Sequence, residues 1–174
     1  MLSSLAAPCR NRRSATRAGV VGALSLVALI LGACGDSEAG QSCGPVRRER
    51  VDAASSLHLL PTAAEPAYAS DPPTSGPHRS GPTPRGVVSD PLERPVQVAV
   101  LEQGGVLIQY RVPGSGKALA ALADGASVVI APNPDLPAAV VATAWAVKLT
   151  CTRVDVVALR TFITDHPVVG RSHE

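Results

Sequence analysis

From residue 96 onward, apolar and polar positions fall into short periodic runs. Val96, Val98 and Val100 alternate with Gln97 and Ala99, and Val106, Ile108, Tyr110 and Val112 alternate with Leu107, Gln109 and Arg111. Glu102-Gln103-Gly104-Gly105 lies between the two runs. Two runs of period 2 around a Gly-Gly turn predict a β-hairpin. Residues 116–124 (GKALAALAD) predict a short helix, with Ser115 as N-cap and Gly125 as the stop. Residues 126–131 (ASVVIA) predict a strand ended by the turn Pro132-Asn133-Pro134-Asp135, and residues 138–150 a longer strand carrying Trp145. Thr152 and Asp155 have the spacing of a capping box; Val156, Leu159, Phe162 and Ile163 then recur at helical spacing until Pro167. The order β-β-α-β-β-α predicts an α+β fold: a small, mainly antiparallel sheet with two helices on one face.

The pattern divides the chain into an α+β core over residues 96–168, a tail at 169–174 and three segments upstream. Residues 51–95 contain nine prolines and few apolar runs. They predict extended chain and turns packed on the core. Residues 34–50 are polar and read as a tether. In residues 1–33 the pattern is that of an export signal: arginines at 10–17, an uncharged apolar run at 18–31 (AGVVGALSLVALIL), then small residues. The apolar run is short of the roughly 20 residues that span a hydrocarbon core. Leu31-Gly32-Ala33-Cys34 resembles the bacterial lipobox, in which the cysteine thiol is acylated and becomes the new N-terminus. The resemblance implies a diacylglyceryl group, with palmitate-type chains, on Cys34. Two acyl chains hold a protein stably at a membrane where one holds it only marginally. Arg12-Arg13 raises twin-arginine export as an alternative route, but the usual apolar pair soon after is missing.

Cleavage before Cys34 changes the charge. Arg10, Arg12, Arg13 and Arg17 precede it and no acid does, so Lys+Arg falls from 16 to 12 against 14 acids, a balance of −2. No basic patch of the kind that binds nucleic acid is implied. Arg47, Arg48 and Arg50 form a short basic run that reads as part of a solvated linker, with attraction to anionic headgroups the sharper alternative.

The same cut sorts the four cysteines. Cys9 leaves with the signal and Cys34 carries lipid, which isolates Cys43 and Cys151 in an oxidising compartment. They are expected to form a disulfide. A metal site on this pair is not expected, because the close ligand spacing of zinc sites is absent.

No catalytic constellation stands out. Gly114-Ser115-Gly116-Lys117 resembles a phosphate loop only superficially: Arg111 occupies the place of its first glycine, and Ala118 that of the Ser or Thr after the lysine. No G-x-S-x-G is present, and His58, His78, His166 and His173 are scattered. The stretch Tyr68-Ala69-Ser70-Asp71-Pro72-Pro73-Thr74-Ser75-Gly76-Pro77-His78 is distinctive. Its prolines fix φ and Gly76 permits a reversal, so the loop is rigid and presents His78 at a defined place. That suits a ligand contact, or a structural loop whose histidine bonds the backbone.

YASDPPTSGPH at 68–78, LEQGGVLIQY at 101–110, and TAWAVKLTC followed by VDVVALRTFI at 143–163 resemble the bacterial domain-of-unknown-function 3105 family, as does Leu57-His58-Leu59. The resemblance covers roughly residues 43–165. Around 99–104 that family usually reads H-x-L-E-H-G, whereas this chain has Ala99 and Gln103 at the two histidine positions. With His58 and His78, the family pattern implies four histidines and a glutamate, a set suited to a transition metal or to proton handling. Here it implies a remnant of His58, His78, Glu102 and Gln103, which would hold copper or zinc weakly if at all.

The leading expectation is therefore a non-catalytic, lipid-anchored protein on the extracytoplasmic face of the cell membrane. It would need no cofactor and would bind an envelope protein or a small ligand. A degenerate metal-binding protein using His58, His78 and Glu102 comes second, and an extracytoplasmic enzyme third.

Overall fold

A computed structural model describes residues 41–125 and 127–166. In chain order the elements are β1 (Arg47–Arg48), β2 (His58–Leu59), β3 (His78–Arg79), β4 (Gly86–Val87), α1 (Arg94–Glu102), β5 (Val106–Tyr110), α2 (Ser115–Leu119), β6 (Val128–Pro132), β7 (Val140–Ala144), β8 (Val147–Cys151) and α3 (Val156–Asp165). A 3-10 turn, Ala120–Leu122, extends α2. One sheet has the order β1-β8-β7-β5-β6-β4, and β2 and β3 form a separate parallel pair. The pairings β1/β8, β8/β7 and β7/β5 are antiparallel; β5/β6 and β6/β4 are parallel. The fold is α+β with a mainly antiparallel sheet, but with three α-helices among the described residues rather than two.

The third helix stands where a hairpin arm was expected. Residues 94–102 form α1, with Pro95 in its first turn, where a proline's missing N–H costs nothing. Its C-terminus is a Schellman motif. Gly104 N donates to Leu101 O (3.0 Å) and Gly105 N to Val100 O (2.8 Å), with Gly104 at φ 83°. The Gly-Gly pair that signals a hairpin turn therefore caps a helix. Gly105 is required for a second reason: a Cβ there would lie 2.8 Å from Val100 O. The valine alternation misleads because all of Gln97–Glu102 is buried. A helix covered on every side need show no amphipathic period.

Helices cover both faces of the sheet, not one. Val106 and Ile108 of β5, with Val128, Ile130, Val140 and Ala142, pack against Leu119, Leu122, Leu159 and Phe162 of the α2–α3 side. Leu107, Val129 and Ala131 point the other way, onto Val100 and Leu101 of α1. Strands buried on both faces read as near-continuous apolar runs, which is how β5 to β7 read here. Polar groups between α1 and the sheet bond one another: Asn133 Nδ2 donates to Gln109 Oε1 (2.5 Å), Gln109 Nε2 to Gln97 Oε1 (2.9 Å), and Gln97 Nε2 to Leu92 O (2.8 Å).

Three local expectations are corrected. The predicted strand at 138–150 is a hairpin, β7–β8, turning at Trp145-Ala146 with Ala146 at φ 57°. Gly114, at φ 90°, is the N-cap of α2, and Ser115 is its first helical residue. The N-cap of α3 is Asp155, whose carboxylate accepts from Ala158 N (3.0 Å); Thr152 instead donates its hydroxyl to Ser42 O (3.1 Å). The Ala158 N–H holds the Asp155 carboxyl below its ordinary pKa. The predicted stop at Pro167, the tail with His173, the signal segment with Cys9, the lipobox at Cys34 and Ala126, the first residue of the strand expected at 126–131, lie outside the described residues.

Candidate functional site

The PPTSGPH string is a packed loop. Every residue from Pro72 to His78 is buried, and the Asp71–Pro72 bond is cis. Its polar groups are used to fasten it. Ser75 Oγ accepts from Asp52 N (2.9 Å), Thr74 O accepts from Ala146 N (3.0 Å), and Thr74 Oγ1 donates to Glu49 Oε2 (2.7 Å). Glu49 also accepts from Ser70 Oγ (2.5 Å) and pairs with Lys148 Nζ at 3.0 Å. Burial pushes the Glu49 carboxyl up, but the bonds from Ser70, Thr74 and Lys148 and the lysine charge outweigh it and hold the pKa below its ordinary value. Tyr68 closes the loop from outside. Its hydroxyl donates to Pro77 O (2.7 Å), and its ring lies where a Cβ on Gly76 (φ 132°) would come within 3.0 Å. Burial first, then the Glu65 charge, raise the Tyr68 pKa to about 12.

This loop delivers His78 into the protein at 2% exposure. Its Nδ1 sits 3.1 Å from Gly76 O. Its Nε2 is buried, has no hydrogen-bond partner among the described residues and lies 3.8 Å from Glu102 Oε2. That distance suits an ion pair with a protonated ring and is too long for a hydrogen bond. Glu102, at 8% exposure, reaches the site from the last turn of α1. His58 comes from the partner strand: it is opposite His78 in the β2/β3 register, and the two rings meet edge to face at 4.8 Å between centroids. Three of the four residues expected as a remnant site thus converge.

Gln103 does not join them. It is exposed at the C-cap of α1, where its Oε1 accepts from Thr83 Oγ1 (2.8 Å) and its Nε2 donates to Gly81 O (3.0 Å). One residue along a helix turns the side chain about 100°, so Glu102 and Gln103 face different surroundings. Gln103 belongs to a cleft of about 260 Å³ whose floor is Val100 and Val129 and whose rim includes Thr83, Arg85, Gly105 and Ser127. Among the described residues, no group of three or more His, Cys, Asp or Glu side chains is set to hold a metal ion.

Cys43 and Cys151 are joined by a disulfide, 108 residues apart in sequence, and also face each other as an antiparallel bridge. Sequence reasoning missed Glu49, Lys148 and the cleft rim. Glu49 sits in a polar run with no periodicity, and the cleft is assembled from segments distant in sequence. Tyr68 was within the distinctive stretch, yet nothing there marked its hydroxyl as the clasp. No described helix is long and apolar enough to cross a membrane.

A sheet clad on both faces, with a proline-rich arm folded back to bury one histidine against a helix-borne glutamate, defines a small α+β domain stapled by one disulfide. Residues 61–173 match the family of proteins of unknown function DUF3105, and the chain belongs to that family. No curated protein matches the chain, and neither does any solved structure.

Proposed function

We propose that the protein is a non-catalytic, lipid-anchored domain of the cell envelope, held on the extracytoplasmic face through Cys34, which binds a small ligand or a partner's side chain in the cleft beside Gln103. The observation that carries the binding role is the cleft itself. Its floor is apolar, and a guanidinium (Arg85), two hydroxyls (Thr83 and Ser127) and a carboxamide (Gln103) stand at its edge. Apolar lining with a few placed polar groups is the usual make-up of small-ligand sites. The Cys43–Cys151 disulfide supports an oxidising compartment, and it lies close in sequence after the lipobox.

Two measurements test this. Mass spectrometry of protein taken from membranes should find residues 1–33 absent and a diacylglyceryl mass on Cys34, and Cys34→Ser should move the protein to the soluble fraction. An unmodified Cys34 would end the anchoring reading. NMR screening of small organic acids and amides against the labelled protein should shift Arg85, Gly105 and Ser127 amides together, and Gln103→Trp should abolish the response. Ligands that shift only other regions would end the cleft reading.

A second reading, weak transition-metal binding, is favoured by the buried Nε2 of His78 facing Glu102 with His58 alongside. Calorimetric titration with Cu²⁺ and Zn²⁺ should show only weak binding that is lost in His78→Ala. Ala99→His, one turn before Glu102 on the same side of α1, should raise affinity at least tenfold. Stoichiometric metal that survives a mild chelator in the wild type would show a competent site rather than a remnant.

A further inference from the structure

We propose that Arg47, Arg48 and Arg50 form a headgroup-binding edge that lays the domain against an anionic bilayer surface, an orientation that rests on the anchoring of Cys34. These arginines are not on a loose linker. Arg47 and Arg48 are β1, paired with Lys148 and Val147 at the outer edge of the sheet. The strand is fixed at both ends: by the Cys43–Cys151 disulfide and the bond from Gly44 N to Thr150 O (2.9 Å) before it, and by the bond from Glu49 N to Ala146 O (2.8 Å) after it. All three arginines are exposed, and Val46 (48%) and Val51 (46%) flank them as exposed apolar side chains. Cations bordered by apolar groups match a headgroup layer, where charge attracts and short apolar side chains enter the interface.

The neighbouring acid does not cancel this charge. Glu49 lies between Arg48 and Arg50, but its carboxylate turns inward to Lys148, Ser70 and Thr74. The Asp52 carboxylate accepts from the Ala54 N–H (2.7 Å) in its own turn. Chain length does the rest. Only residues 35–40 separate Cys34 from the described domain, a reach of roughly 25 Å even when fully extended. A lipid on Cys34 therefore keeps β1 near the membrane, where each arginine adds about fivefold to surface affinity, or about a hundredfold for three.

Charges on an edge strand also discourage pairing between molecules, and that role needs no lipid. The test separates the two. The mature chain, residues 34–174, with a single acyl chain coupled through the Cys34 thiol to supply marginal, reversible binding, is sedimented with vesicles of phosphatidylcholine alone and of phosphatidylcholine mixed with phosphatidylglycerol. Binding is expected to be tighter to the anionic vesicles, to weaken as salt rises, and to fall about a hundredfold in R47Q/R48Q/R50Q while Arg160→Gln, on α3, changes it little. Circular dichroism melts confirm that each variant is folded. Equal binding to both vesicle types, no binding to either, or the same loss in Arg160→Gln would overturn the proposal. The lipid on Cys34 is judged separately from the mass of the wild-type protein, so the two readings fail independently.

Discussion

His78 Nε2 and Glu102 Oε2 stand 3.8 Å apart in the interior, one from a proline-locked loop and the other from the last turn of a helix. The histidine also fills space between β2 and α1. His78→Ala should therefore cost about 2–4 kcal/mol in urea denaturation, as expected for truncating a buried ring. Glu102→Gln keeps the volume and should cost distinctly less. Equal losses would mean that the pair acts as a unit rather than that His78 acts as packing.

Tyr68 clasps the loop that carries His78, and its pKa of about 12 makes it a reporter of that clasp. The folded value lies above the ordinary value of 10.0, so its contribution to stability is fully present below pH 10 and is lost as pH rises through 12. The phenolate absorbance should show one tyrosine titrating late, near 12, and Tyr68→Phe should remove that phase. Persistence of the late phase in the variant would assign it elsewhere.

Glu49 has the opposite sign. Its folded pKa lies below the ordinary value of 4.5, so the stability it supplies is present above that pH and is lost as pH falls through the folded pKa. Melting temperature should drop on acidification below about pH 4.5, and Glu49→Gln should flatten that drop while lowering stability at neutral pH. An unchanged acid limb would remove Glu49 from the account.

Reducing the Cys43–Cys151 bridge should cost about 2–5 kcal/mol, since it closes a loop of 108 residues in the unfolded chain. Guanidinium melts with and without reductant measure this directly. A difference under about 1 kcal/mol would place the stabilisation elsewhere.

Ala146 holds φ 57° in the β7–β8 turn, a region that L-residues with a Cβ occupy at a cost. Ala146→Gly should stabilise the domain by up to about 1 kcal/mol, after the added unfolded-state freedom of glycine offsets part of the gain. A destabilised variant would show that the Ala146 methyl group contributes packing that outweighs the turn.

What the amino-acid order determined by itself is whatever depends on local chemistry or on identity alone. α3 was legible from the spacing of Leu159 and Phe162, though its cap fell at Asp155 rather than Thr152, and β5 and β6 from the alternation at 106–112 and the apolar run at 126–131. The disulfide followed from sorting four cysteines, and the family from YASDPPTSGPH, which lies in the matched span. The tertiary structure decided the rest. Gly104-Gly105 can close a hairpin or cap a helix, and the choice fell to the helix because residues 97–102 are covered by the sheet on one side and by the proline-rich arm on the other. That decision also split the expected site. On a strand, Glu102 and Gln103 would still have faced opposite ways, but only the helix, packed on β3, brings Glu102 to His78 while sending Gln103 to a cleft with Thr83. Side-chain direction is local, but the surface it meets is set by which segments pack together, and no run of adjacent residues encodes that.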